Sequence, residues 1–238
     1  MKKVLSTLVC IVIAITIRSQ TTTVIFTNNG IAPIPAFTLG KPAGLAFVNA
    51  NISKHIEIDP DVTFSLATGK LWFSDVWLKY SFWSDSTKKW LFTIGADFPS
   101  YFGQSYTDAA GKTIDQIVLY PTAQLKVKHT INKNLTATLD YWYTQATKIE
   151  YGTKGSYISL STDWNKTLPK KVYSLELNPN VFYLTYSDGT KGLAGSFSVN
   201  LFHIKSGIFI GTQGLVPITV KSLKSTWNIS VGLTRKLS

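Results

Sequence analysis

The chain has 238 residues, 24 basic and 13 acidic for a net charge of +11, with one cysteine and 7 Trp, 11 Tyr and 13 Phe. That aromatic load argues against intrinsic disorder, which goes with low hydrophobicity and few rings. Charged residues are only 16% of the chain, yet beyond the N-terminus no unbroken apolar run approaches the roughly 18 residues of a spanning helix, which disfavours a helical membrane protein.

Lys2 and Lys3 precede an apolar run from Leu8 to Ile17, broken only by Thr16, and Arg18-Ser19-Gln20 follow. This basic, apolar, polar succession is that of a secretory signal peptide, and cleavage is expected near Ser19 or Gln20. The run is short for an uncut anchor helix. The expected organisation is therefore a signal peptide over 1–20 and one domain over 21–238. Cleavage removes Lys2, Lys3 and Arg18, leaving 21 basic and 13 acidic residues and a charge of +8. It also removes Cys10, so the mature chain has neither disulfides nor thiolate metal ligands.

From Ile31 onward the dominant pattern is alternation over about ten residues between short polar turns, with no helical period. Leu135, Ala137, Leu139, Tyr141 and Tyr143 form one face; Thr136, Thr138, Asp140 and Trp142 form the other. Ile117 to Lys128 splits similarly, with Val118 the exception, and so do 193–201 and 227–234. Strands are expected at 34–39, 43–52, 56–66, 71–83, 90–99, 116–128, 135–148, 156–164, 172–186, 193–204, 207–216 and 226–236. The first is the weakest, because Pro33 and Pro35 flank or interrupt it.

Several of these runs reach the roughly 9 to 11 residues that a tilted strand needs to cross a bilayer, against five or six in soluble sheets. Aromatics gather near their ends, at Trp72, Tyr80, Phe82 and Trp83 and at Tyr141 and Tyr143, as in the girdles of membrane barrels. The fold class is thus all-β: a transmembrane antiparallel up-and-down barrel of about twelve strands, with ten as the alternative. Turns near Ser53-Lys54-His55, Ile131-Asn132-Lys133-Asn134 and Lys205-Ser206 fall on one side of this count and are short. The longest connection, expected over 100–115, falls on the other.

This exported, cysteine-free pattern of amphipathic ten-residue strands resembles the outer-membrane β-barrels of Gram-negative bacteria, and the Ser-Gln cleavage region resembles those of the Bacteroidota. Ser230, Gly232 and Leu237 match the C-terminal assembly signal of such barrels in position, whereas Arg235 and Ser238 depart from it. The resemblance implies an outer-membrane location with outer-membrane lipids as the immediate surroundings, and envelope proteins as candidate partners.

A basic side chain facing lipid at the midplane costs up to about 2–4 kcal/mol, and an acidic one less. Glu57, Asp59, Asp61, Asp75, Lys79, Asp97, Lys126, Lys128, Asp140 and Glu176 are therefore expected to line the lumen, either along a water path or as mutual ion pairs that plug it. His55, His129 and His203 fall at strand ends on the short-turn side. They read as interfacial caps rather than as parts of a lipid hydrolase or acyltransferase, so neither catalysis nor a metal or other cofactor is expected. Lys54, Lys88, Lys89, Lys133, Lys166, Lys170, Lys171 and Lys205 concentrate at the same short turns, where lysine can snorkel to headgroup phosphate. Their dispersal over separate hairpins, with export, argues against a nucleic-acid partner. Two functions remain: a porin-like passive channel for small solutes or ions, and a closed barrel acting as an envelope anchor or interaction protein.

Overall fold

The computed structural model describes residues 21–30, 40–107, 113–147 and 154–236. In order, the strands are β1 (Thr21–Thr27), β2 (Ala43–Asn51), β3 (Ile56–Ser65), β4 (Leu71–Ser84), β5 (Trp90–Thr107), β6 (Thr113–Tyr120), β7 (Thr122–Asn132), β8 (Leu135–Gln145), β9 (Lys154–Thr167), β10 (Tyr173–Tyr186), β11 (Lys191–His203), β12 (Ile208–Pro217) and β13 (Thr226–Arg235). Each pairs antiparallel with its neighbours; β1 pairs with β13 and β4 with β5, so the sheet closes on itself. A closed sheet has no unpaired edge, which is the condition for crossing hydrocarbon with strands.

β6 and β7 together fill one barrel position. Trp90 to Ala96 of β5 pair with β7 and Ser100 to Thr107 with β6, so thirteen segments make twelve barrel strands, and the ten-strand alternative is set aside. Pro121 separates the two halves because it has no N–H for the ladder. The Asp97 carboxylate substitutes locally, accepting the Thr122 N–H at 2.7 Å and the Ser100 hydroxyl.

Two sequence expectations are corrected. The closing strand is Thr21–Thr27, registered on β2 from Thr21↔Asn49 to Thr27↔Ala43, while the strand expected at 34–39 lies outside the described residues. The long loop expected over 100–115 is instead largely a hairpin, because β5 runs on to Thr107 and β6 begins at Thr113. Its Gly, Gln, Ser, Tyr and Thr read as a polar loop in isolation, but backbone pairing alone extends a strand beyond the membrane.

The short turns after β2, β4, β7, β9 and β11 share one end with the start of β1 and the finish of β13. In the turn after β4, Asp85 accepts from the Thr87 hydroxyl and the Trp90 N–H, which hold its carboxyl below the usual range. Gly207 has φ +72, and a Cβ there would lie 2.0 Å from the Thr234 carbonyl oxygen.

Residues of one parity point outward. Leu78, Ile94, Leu125, Leu139, Leu160, Val181, Ile210 and Ile229 are exposed apolar side chains from successive parts of the wall. Exposed rings flank this belt: Tyr80, Phe82, Trp83, Trp90 and Tyr173 toward the short-turn end, and Phe26, Tyr141, Tyr143, Tyr183 and Trp227 toward the other. A monomeric soluble protein does not leave so continuous an apolar surface in water, so the chain is a membrane-spanning barrel.

Candidate functional site

Residues of the opposite parity fill the lumen, and the wall is chemically lopsided. One side carries the charges. In register, Glu57 of β3 faces Lys79 of β4, and Asp61 faces Asp75; beyond β5, Lys126 of β7 faces Asp140 of β8. Lys79 Nζ bonds Asp59 and lies 3.5 Å from Glu57 Oε1, and Asn49 donates to the other Asp59 oxygen at 2.9 Å. Lys126 Nζ lies 3.7 Å from Asp140, which also accepts Gln124 Nε2 at 2.8 and 2.9 Å and Trp142 Nε1 at 2.8 Å. Trp77 Nε1 donates to Asp75 at 2.9 Å, and the rings of Trp77 and Trp142 lie 4.9 Å apart.

The other side is mostly hydroxyls and amides, such as Ser159, Ser161, Asn180, Ser196, Gln213 and Asn228, with the Glu176 carboxylate among them. Among the described residues, cavities of 480, 350 and 260 Å³ occupy the space between. Thr23 and Phe47 border the first two, Ser198 and Gln213 the first and third, and Trp142 the second and third. Toward the long-loop end, Tyr157, Phe182, Leu184, Ala194 and Leu215 pack with Val220 and Leu223 of the connection before β13.

Asp59, Asp61, Lys79 and Lys126 line the 350 Å³ cavity, Asp140 the 260 Å³ one, and Glu176 the 480 Å³ one across the lumen. Glu57 joins through Lys79, while Asp75 and Asp97 are buried in the wall layer. Lys128 stands apart, exposed near the short-turn end and lining none of these three cavities. Sequence reasoning passed over Asn49, Trp77, Gln124, Trp142 and Asn180. All have inward parity, so the signal was present, but charge was the only property used to select candidates.

His55 Nδ1 lies 3.0 Å from the Ser81 carbonyl, His129 stacks on Trp90 at 4.0 Å, and His203 Nδ1 lies 2.8 Å from the Ser206 hydroxyl. All three serve the short-turn rim. Among the described residues no group of three or more His, Cys, Asp or Glu is disposed to hold a metal ion.

A closed twelve-strand antiparallel barrel with an apolar belt, two aromatic girdles and a polar interior has the fold of the outer-membrane β-barrels. Solved structures agree. The KdgM porin in complex with disordered oligogalacturonate is similar over 90% of this chain and 98% of its own, with a TM-score of 0.54 at 9% identity. The COG4313 outer membrane channel from Pseudomonas putida F1 is similar over 90% and 94%, with a TM-score of 0.53 at 10% identity. The NanC porin covers 90% and 98%, with a TM-score of 0.52 at 8% identity. No family model matches the chain, and no curated protein matches it in sequence.

Proposed function

We propose that this chain is an outer-membrane barrel acting as a passive channel for small solutes, exported by its N-terminal segment and seated in outer-membrane lipid by the apolar belt. The observation that carries this reading is the chain of cavities along the lumen, lined by hydroxyl, amide and charged groups together with Phe and Trp rings. The 480 Å³ space is bordered by Thr234 and Phe202 toward the short-turn end and by Thr27 and Asn228 toward the long-loop end. Walls of hydroxyl, amide and paired charged groups can replace part of a solute's hydration shell without binding it tightly, which is what conduction requires. The KdgM and NanC porins and the P. putida channel share this architecture, which supports the same assignment here.

One observation favours the second reading, a closed barrel serving as an envelope anchor. Val220 and Leu223 pack inside the mouth against Tyr157, Phe182 and Leu215 and narrow it on that side. Conductance of the purified, refolded protein in planar bilayers separates the two. Discrete current steps are expected; persistent silence from protein verified as folded would replace the channel with the anchor.

A further inference from the structure

The short-turn end of the barrel carries positive charge that its own residues do not balance. The turns after β2, β4, β7, β9 and β11 hold seven lysines and one acid, Asp85, and Asp85 is engaged by the Thr87 hydroxyl and the Trp90 N–H of its own turn. Lys88, Lys89, Lys133, Lys170 and Lys171 fall on three neighbouring turns, with Lys166 at the end of β9 between them. All six are exposed, and among the described residues no ion pair reaches any of them. Main-chain bonds tie the three turns together, from the Thr130 N–H to the Lys89 carbonyl at 2.7 Å and from the Asn165 N–H to the Asn134 carbonyl at 2.8 Å, so the lysines stand on one continuous arc. The acids nearest it, Asp163 and Glu176, are on the inward face, where Asn178 and Asn165 bond them.

The backbone of the arc adds a second observation. Lys88, Lys170 and Lys171 have φ of +55, +68 and +53 and are the only non-glycine residues of positive φ among those described. Glycine or asparagine adopts that conformation at lower cost, so turn geometry does not call for lysine there, and what lysine contributes is its ammonium group. The depth of the arc is set by Phe82, Trp83, Trp90 and Tyr173, exposed rings on the strand ends beside these turns. Such rings sit at headgroup level, which brings the ammonium groups level with lipid phosphate. In a zwitterionic headgroup the lipid's own amine offsets that phosphate, whereas a net-negative headgroup leaves it for the lysines.

We propose that this arc is a docking surface for anionic phospholipid, holding net-negative headgroups of the leaflet that the short turns face. The inference rests on the membrane assignment and is independent of conduction. It goes beyond single lysines reaching for phosphate, because a fixed excess of cations selects among lipids by net charge.

The test reconstitutes the refolded barrel in vesicles of equal parts phosphatidylcholine and phosphatidylglycerol, extracts it in mild detergent and counts the retained lipids by native mass spectrometry. Phosphatidylglycerol should exceed phosphatidylcholine by at least about fivefold, the weight of one lysine at an anionic surface, and the excess should shrink as NaCl is raised. Lys88→Gln/Lys89→Gln/Lys170→Gln/Lys171→Gln should lose most of the excess, and Arg at the same four positions should keep it. Lys154→Gln/Lys191→Gln/Lys221→Gln/Lys224→Gln removes the same charge at the long-loop end and should also keep it. Equal retention of the two lipids by the parent would overturn the proposal and leave a soluble acidic partner as the occupant the rim fits. An excess lost alike in both Gln variants overturns it too, since overall charge and not the arc would then be responsible. If the parent inserts in no vesicle, the membrane reading fails and the proposal with it; insertion without lipid preference sinks the proposal alone. Should the short-turn Gln variant not fold, the parent decides, because an excess that NaCl does not diminish also overturns the arc.

Discussion

At Leu139 and Asp140 the wall changes character within one residue. Leu139 is exposed on the outer belt, whereas Asp140 accepts bonds from Gln124 and Trp142 beside Lys126. Leu139→Arg places a charge in hydrocarbon and should destabilise the assembled barrel by about 2–4 kcal/mol. Asp140→Asn keeps an acceptor for Trp142 and should assemble at near-parental yield, read as the folded band on an unheated gel. Equal tolerance of the two would show that the faces of β8 are assigned the wrong way round. Asp97 offers a contrast among the carboxylates: the Thr122 N–H and the Ser100 hydroxyl hold it in the wall, so its role is to close a backbone gap.

That gap belongs to the β5, β6 and β7 junction. The ladder of β5 passes from Ala96↔Ala123 to Ser100↔Tyr120, and Asp97 stands where Pro121 interrupts it. Asp97→Ala leaves the Thr122 N–H without its acceptor and should cost about 1–3 kcal/mol, whereas Asp97→Asn retains an acceptor oxygen and should cost under about 1 kcal/mol. Denaturant unfolding in detergent compares the two, with local hydrogen exchange of β6 and β7 as the second readout. Similar losses for Ala and Asn would mean that the charge, and not the acceptor, holds the junction. A clamp of another kind fastens the connection before β13, where the Leu193 N–H donates to Thr219 Oγ1 at 2.8 Å and the Ile218 N–H to the Leu193 carbonyl at 2.9 Å. These bonds hold Val220 inside the mouth.

The whole molecule is kept together by closure. The β1–β13 pairing ties residue 22 to residue 235, so closure joins positions at opposite ends of the described chain, and a bilayer or detergent must shield the belt. The mature protein should therefore be β-rich by circular dichroism in detergent and should migrate differently before and after boiling. A chain that stays folded and monomeric in plain buffer would contradict the membrane assignment, because the exposed Leu, Ile and Val of the belt would then face water.

Alternation, strand length and the aromatics at strand ends together determined the class of fold: a period of two decides which residues share a face, and strands of about ten residues capped by rings suit a closed sheet in lipid. Alternation placed Leu139 outside and Asp140 inside, and it put the histidines at the short-turn rim. What it could not carry was anything set by pairing between distant strands. Thr21 to Thr27 lies ahead of the alternation that starts at Ile31, and it is a strand because β2 and β13 supply partners on both sides. The stretch around residues 100–115 reads as a loop until the two halves pair with each other. The lumen obeys the same logic: inward parity named Asp61, Asp75 and Lys79 together, but only register and side-chain direction committed Lys79 to Asp59 and Glu57 and left Asp61 and Asp75 facing each other. Parity is a local property of the backbone, whereas the choice of an ion partner depends on how far neighbouring strands are staggered, and only the closed barrel determines that stagger.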